Sequence, residues 1–287
     1  MNNADQQYNH FVQNILSNGI WKGNRTGVAC LTIAGAMFEH DMSEGFPLLT
    51  SRKLPFKSTK VELEFFIQGL TSKKWLQERG CRYWDGWCNP KKVPYGHDEE
   101  TRRKMREEDD LGPIYGAQWR NFRDPASPDA QGVDQLKSLV ETLKKNPSDR
   151  RMICSAWNPL ALPYAALPSC HYGFQVTVVG DRLNLAWNQR SVDVCCGLPQ
   201  NIASYGMLLH LLAKEAGLKE GKLIGFLMDT HIYENHLDNV QMQIKQQTYD
   251  LPRIETRDFR SIFDWTHEKT ELLGYVSSPP VKYVVAV

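Results

Sequence analysis

Two short apolar alternations around a Gly-Asp step constrain the fold of this chain more than any other feature. Phe174, Val176 and Val178 alternate with other residues before Gly180-Asp181, and Leu183, Leu185 and Trp187 alternate after it. Period-two spacing on both sides of such a step predicts a β-hairpin with one buried face. If the strands pair, Cys170, just before the first, meets Gln189-Arg190-Ser191-Val192-Asp193 at the end of the second. A cation beside a thiol favours thiolate, the nucleophilic form of cysteine. An Arg-Ser pair also suits a phosphate. Together they suggest covalent chemistry on a nucleotide. A lone cysteine is more often a small buried hydrophobe, and Cys30, Cys81, Cys88 and Cys154 read that way. Cys170 differs in its company: His171 follows it, and a loop with Pro163 and Pro168 precedes it.

The rest of the chain supplies helices to cover the hairpin. Residues 6–18 carry Phe11, Val12, Ile15 and Leu16 at amphipathic helical spacing. Residues 24–27, Asn-Arg-Thr-Gly, read as a turn, and residues 28–38 as a strand. Residues 57–68 are dense in apolar side chains and predict a mostly buried helix stopped at Gly69. Glu62 lies on that helix. A buried carboxylate needs a partner and has a raised pKa, but periodicity leaves open that Glu62 points to solvent. Residues 88–110 carry dense charge and predict a solvated excursion or a short exposed helix. Residues 135–145 predict an amphipathic helix, 152–157 a buried strand, 201–216 a core helix ended by Gly217, and 223–227 another apolar run. No repeat or linker divides the chain. The expected fold is a single α+β domain over residues 1–287, built on a large mixed β-sheet with packed helices.

The 287 residues carry a formal charge of +1, which argues against bulk nucleic-acid binding. No apolar run is long enough for a membrane helix, and the N-terminus lacks the pattern of a signal peptide. Seven cysteines at irregular spacing do not suggest a disulfide framework. No Cys-x-x-Cys or His-x-x-x-His spacing suggests zinc. The expectation is a reduced, cytoplasmic protein without a metal.

Several ordered motifs resemble the thymidylate synthase family. They include Asn24-Arg25-Thr26-Gly27, Glu44-Gly45-Phe46-Pro47-Leu48, Glu62-Leu63 with Gln68-Gly69, and Tyr83-Trp84-Asp85-Gly86-Trp87. Leu111-Gly112-Pro113-Ile114-Tyr115-Gly116, Asp149-Arg150-Arg151, Asn201-Ile202-Ala203-Ser204-Tyr205 and Asp229-Thr230-His231-Ile232-Tyr233 continue the series nearly to the end of the chain. The resemblance implies that dUMP and 5,10-methylenetetrahydrofolate bind, and that Cys170 adds to C6 of the uracil. It assigns Glu62, Tyr115 and His171 to a polar network around the base. Glu62 would relay protons to O4 and Tyr115 would help remove the C5 proton. Arg25, Gln189, Arg190 and Ser191 would serve the nucleotide and its phosphate, and Asn201 would read the uracil edge. His231 and Tyr233 would bind the sugar hydroxyl. Arg150 and Arg151, a surface basic pair on spacing alone, would cross to the other subunit of a homodimer. Trp84, Trp87, Leu167, Asp193, Cys196, Gly197, Gln200 and the C-terminal Val287 would contact the folate.

Departures from the family pattern gather on the folate side. Asn188 and Gln200 stand where the family has aromatic residues, Cys195-Cys196 replace Phe-Leu, and Pro55 replaces a histidine. Amides can hold water, and nucleotide hydroxymethylases of the superfamily are similar at these two positions. The favoured expectation is therefore hydroxymethylation of dUMP. Thymidylate synthesis is the alternative, favoured by Trp84 and the intact tail, and an inactive nucleotide- or RNA-binding relative is a further one.

Overall fold

The structure is a computed structural model that describes residues 1–127, 129 and 131–284. Helix α1 (Asn3–Asn18) is capped by Asn2, which accepts from the Asp5 N–H, and buries Tyr8, Phe11, Val12 and Ile15. Strands β1 (Ile20–Lys22) and β2 (Cys30–Asp41) flank the turn at residues 24–27. Helix α2 (Phe56–Ile67) is almost wholly buried and ends before Gly69, whose φ of 68° few other residues adopt. Helices α3 (Lys73–Glu78), α4 (Glu99–Glu107), α5 (Tyr115–Arg120) and α6 (Gln135–Lys145) follow, then the short strand β3 (Ile153–Ser155). The predicted hairpin is β4 (His171–Val179) with β5 (Arg182–Asp193), turning at Gly180 with φ 65°. Helix α7 (Gly197–Ala216), strand β6 (Lys219–Tyr233), helix α8 (Leu237–Gln243) and the antiparallel pair β7 (Arg253–Thr256) and β8 (Thr270–Leu273) complete the chain.

Six strands form one sheet in the order β1-β2-β6-β5-β4-β3. All neighbours are antiparallel except β5 and β6, which run parallel. A parallel pair needs a crossover, and α7 supplies it. Buried residues of the sheet, among them Phe38, Val176, Leu185 and Leu223, join Leu208 and Leu209 of α7 in one core. This is the expected single α+β domain. The sheet's other face is bare: Met37, Ile153, Phe226 and Met228 are 53, 55, 47 and 62 % exposed. Among the described residues no helix is long and apolar enough to cross a membrane.

Three sequence readings change. Only Ile153–Ser155 of the stretch 152–157 is strand, and Ile153 is exposed because it points to the bare face of the sheet while Cys154 points into the core. Helix α7 starts at Gly197 rather than 201, because Pro199 fits a first helical turn and does not stop the helix. The charged stretch 88–110 is anchored as well as solvated. Helix α4 buries only Met105. Cys88 and Asn89, however, are buried, and the buried Lys73 ammonium donates to the carbonyls of Trp87 and Met105 at 2.9 Å each. Charge along the sequence did not show which residues turn inward.

Candidate active site

The start of β4, the end of β5, the first turn of α7, α2 and α5 converge on one cavity of about 1010 Å³. Pairing across the hairpin fixes the relation of thiol and guanidinium. The Arg190 N–H donates to the Cys170 carbonyl at 2.9 Å. The Arg190 side chain donates to the carbonyls of Ser169 at 3.0 Å and Pro168 at 2.7 Å, which holds Nη2 3.8 Å from the Cys170 sulfur. Burial nevertheless raises the thiol pKa, against the opposite pulls of Arg190, the Tyr115 hydroxyl and Arg25. Cys170 therefore rests as a thiol. Arg190 favours the thiolate as the sequence suggests, but burial outweighs it.

Tyr115 accepts from the Cys170 N–H at 2.9 Å. It opens α5 with φ 26°, a conformation that non-glycine residues rarely adopt. Its neighbour Gly116 lies so close to α2 that an added Cβ would stand 2.1 Å from the Phe66 carbonyl oxygen. Close packing of α5 on α2 thus sets the tyrosine under the cysteine. Burial raises the Tyr115 pKa well above the ordinary value, so the phenol keeps its proton. His171 stacks on Tyr115 with ring centroids 4.1 Å apart, and its Nδ1 lies 2.9 Å from the Tyr205 hydroxyl. Burial lowers the His171 pKa to about 3, so the ring is neutral. Glu62 faces this cavity and not bulk solvent. Its carboxyl accepts from the Trp84 indole at 2.7 Å, and burial raises its pKa to about 7.

Asn24 shapes the loop that carries Arg25: its Oδ1 accepts from the Thr26 N–H at 2.9 Å and the Thr26 hydroxyl at 2.6 Å. Arg25, Arg190 and Ser191 line the same cavity. Gln189 donates to the Asn201 Oδ1 at 3.0 Å. His231 Nδ1 lies 2.9 Å from the Asp229 carboxylate, which also pairs with Lys22 at 2.6 Å. A proton held on Nδ1 leaves Nε2 to accept from a hydroxyl. Tyr233 packs edge-on to His231.

Trp84, Trp87, Leu167, Asp193, Cys196, Gly197 and Gln200 also line the cavity. Apolar walls with one carboxylate suit a flat heterocycle that carries N–H donors. Asp193 Oδ1 accepts from the N–H groups of Cys195 and Cys196 at 2.9 and 3.0 Å. Asp193, Cys195 and His236 offer atoms within 4.8 Å of one another. The Arg52 guanidinium donates to the Cys195 carbonyl beside them, and a fixed cation there disfavours a second.

Two sequence assignments do not meet the cavity, and a third cannot be placed. Arg150 and Arg151 are exposed outside it, and Arg151 pairs with Asp149 at 2.6 Å. Asn188 does not line it either; it sits in the row of Phe226 and Met37, across from the buried face that carries Trp187. Strand alternation puts Asn188 and Gln189 on opposite faces. Val287 lies outside the described residues. Lys22, Arg52, Trp157 and residues 281–284 line the cavity without having been read as site residues. They come from distant segments with no local motif. Arg52 lies 4.6 Å over the Tyr283 ring, and His236 Nε2 is 2.7 Å from the Val284 carbonyl. The last described residues are held over the cavity by these contacts.

The sequence model of the family described as thymidylate synthase matches residues 6–287. A match over nearly the whole chain, on a mixed-sheet fold with a thiol, a raised carboxyl and arginines in one cavity, has one meaning. The chain belongs to the thymidylate synthase family, whose reaction is folate-dependent transfer of a one-carbon unit to C5 of dUMP.

Proposed function

We propose that the chain converts dUMP to 5-hydroxymethyl-dUMP, with Cys170 as the nucleophile and solvent water as the final reactant. The observation that carries the reading is Gln200. It stands at the folate end of the cavity, and the Thr59 hydroxyl donates to its Oε1 at 2.6 Å. With Oε1 engaged, nothing among the described residues accepts from Nε2, so the amide offers a donor that can hold a water molecule. Asn188 gives no support, because it faces away.

The phosphate binds Arg25, Arg190 and Ser191, which sets C6 of the uracil above the Cys170 sulfur. Sulfur bonds to C6 while Glu62, poised at about 7, delivers a proton toward O4 through water. Sulfur addition leaves C5 nucleophilic, and methylenetetrahydrofolate supplies the one-carbon unit that C5 takes up. Tyr115 keeps its own proton, so it orients a water molecule that takes the C5 proton and does not act as a phenolate base. Neutral His171 holds Tyr115 from behind. Water then adds to the exocyclic methylene, the bond from sulfur to C6 breaks, and the product leaves. Atoms balance: dUMP, methylenetetrahydrofolate and water give 5-hydroxymethyl-dUMP and tetrahydrofolate.

Arg150 and Arg151 belong in this reading to a partner's cavity. They lie just before β3 at the edge of the bare sheet face, where Met37, Phe226 and Met228 are exposed. A second copy on that face would cover the apolar residues and make a homodimer whose sites share arginines.

Trp84 favours the second reading, thymidylate synthesis, because its indole walls the folate end. Identification of the spent folate separates the two. Tetrahydrofolate in amounts equal to the nucleotide consumed supports hydroxymethylation; dihydrofolate rejects it.

A further inference from the structure

We infer that Trp187 is a positioning residue that sets which way the Asn201 amide faces, and thereby which pyrimidine the cavity accepts; the inference rests on the dUMP reading above. Trp187 is fully buried beneath the cavity and does not line it. Its indole N–H donates to Gln189 Oε1 at 3.1 Å. An indole can only donate, so the Gln189 atom facing it is oxygen. On its other side Gln189 lies 3.1 Å from the Ser191 carbonyl, which can only accept, so that atom is nitrogen. The same nitrogen is 3.0 Å from Asn201 Oδ1. Two anchors of opposite polarity thus fix Gln189, and Gln189 makes Asn201 turn its oxygen inward and its NH₂ toward the base. An NH₂ there can donate to the O4 of uracil. Cytosine presents an amino group at the same place, and two donors would meet.

The indole also fits a prepared space. Trp187 stacks on Tyr205 with centroids 5.2 Å apart and planes 7° from parallel, and Tyr205 holds His171. Gly225 is its neighbour on β6. A Cβ at Gly225 would lie 2.4 Å from the outer ring of the indole, so only glycine leaves room for it. Removing the indole N–H strands a buried amide oxygen and deletes one of the two anchors. Gln189 is then held by the Ser191 carbonyl alone, and the bias on the Asn201 amide weakens.

The test is the equilibrium affinity of the folate-free protein for dUMP and dCMP, measured by titration calorimetry on the wild type, Trp187→Phe, and the double variant Trp187→Phe with Gly225→Ala. Phenylalanine keeps the aromatic core and lacks the N–H. The added methyl refills the space of the lost outer ring, so the double variant separates packing from polarity and stands in if Trp187→Phe alone does not fold. The expected result is a preference for dUMP over dCMP reduced about tenfold in both variants, the cost of one buried acceptor without a donor. Thermal stability should recover in the double variant while the preference does not. A preference unchanged in either variant overturns the inference, and so does a preference that returns together with stability. A wild-type protein with no preference for dUMP overturns the dUMP reading as well, which distinguishes the two failures.

Discussion

The two ends of the cavity are built differently. Around the nucleophile, polar groups are tied to a strand or to a second side chain: Arg190 to the carbonyls of Pro168 and Ser169, Asn201 to Gln189, His231 to Asp229. Their geometry follows from β4, β5 and β6, whose register a buried face enforces. At the folate end the walls come from chain segments remote from one another, the 52–55 loop, the first turn of α7 and residues 281–284. Within these segments Pro55, Cys196 and Gln200 depart from the pattern of the family resemblance. In the proposed reading, a rigid end fixes the substrate and keeps the first half of the reaction, while an assembled end free to vary changes its outcome.

Four experiments probe that contrast. Cys170→Ala should lower turnover by about 10⁴-fold or more, since the covalent step has no substitute. Binding of dUMP should change only a few-fold, because the phosphate and base contacts remain. Residual turnover near the wild-type rate would remove sulfur from the mechanism. The double change Arg150→Ala with Arg151→Ala should be nearly inactive alone. Mixing it in equal amounts with the Cys170→Ala protein should restore about a quarter of the sites, the statistical share of intact ones in exchanged dimers. No recovery after verified subunit exchange would place the arginines outside the partner's site.

Glu62→Gln should cost about 10²–10⁴ in kcat/KM and abolish an ionisation near pH 7 in the pH profile. Stability gives a second readout of the same group. Its pKa is raised on folding, so the folded state holds the proton more tightly. The associated stability is present below the unfolded value near 4.5 and is lost as pH rises through about 7. The glutamine variant should therefore gain on the order of 1–3 kcal/mol over wild type between pH 4 and pH 8, measured by denaturant unfolding. A gain independent of pH would show that Glu62 does not titrate in that range. The smallest effect belongs to the folate end. Gln200→Phe should move product from hydroxymethyl toward methyl by several-fold with little change in dUMP affinity, as seen by chromatography of the nucleotides. No shift would mean that the amide does not admit the water.

The hairpin, helices α2, α6 and α7 and the approach of Cys170 to Arg190 were legible because periodicity and a Gly-Asp turn determine them locally. Glu62 was ambiguous on periodicity, since its helix is buried nearly all round and an inward carboxylate looks like its neighbours. The sequence showed the cation beside Cys170 but not the depth of burial that opposes it. Asn188 was misplaced by treating adjacent residues as sharing one site, although a strand sends them to opposite faces. Lys22, Arg52 and residues 281–284 were missed because they reach the cavity only through tertiary contacts.

Turnover of dUMP and methylenetetrahydrofolate in water enriched in heavy oxygen tests the entry of solvent most directly. One heavy oxygen in the base of the nucleotide product is the predicted result. A product carrying a methyl group and no heavy oxygen in its base would contradict the account.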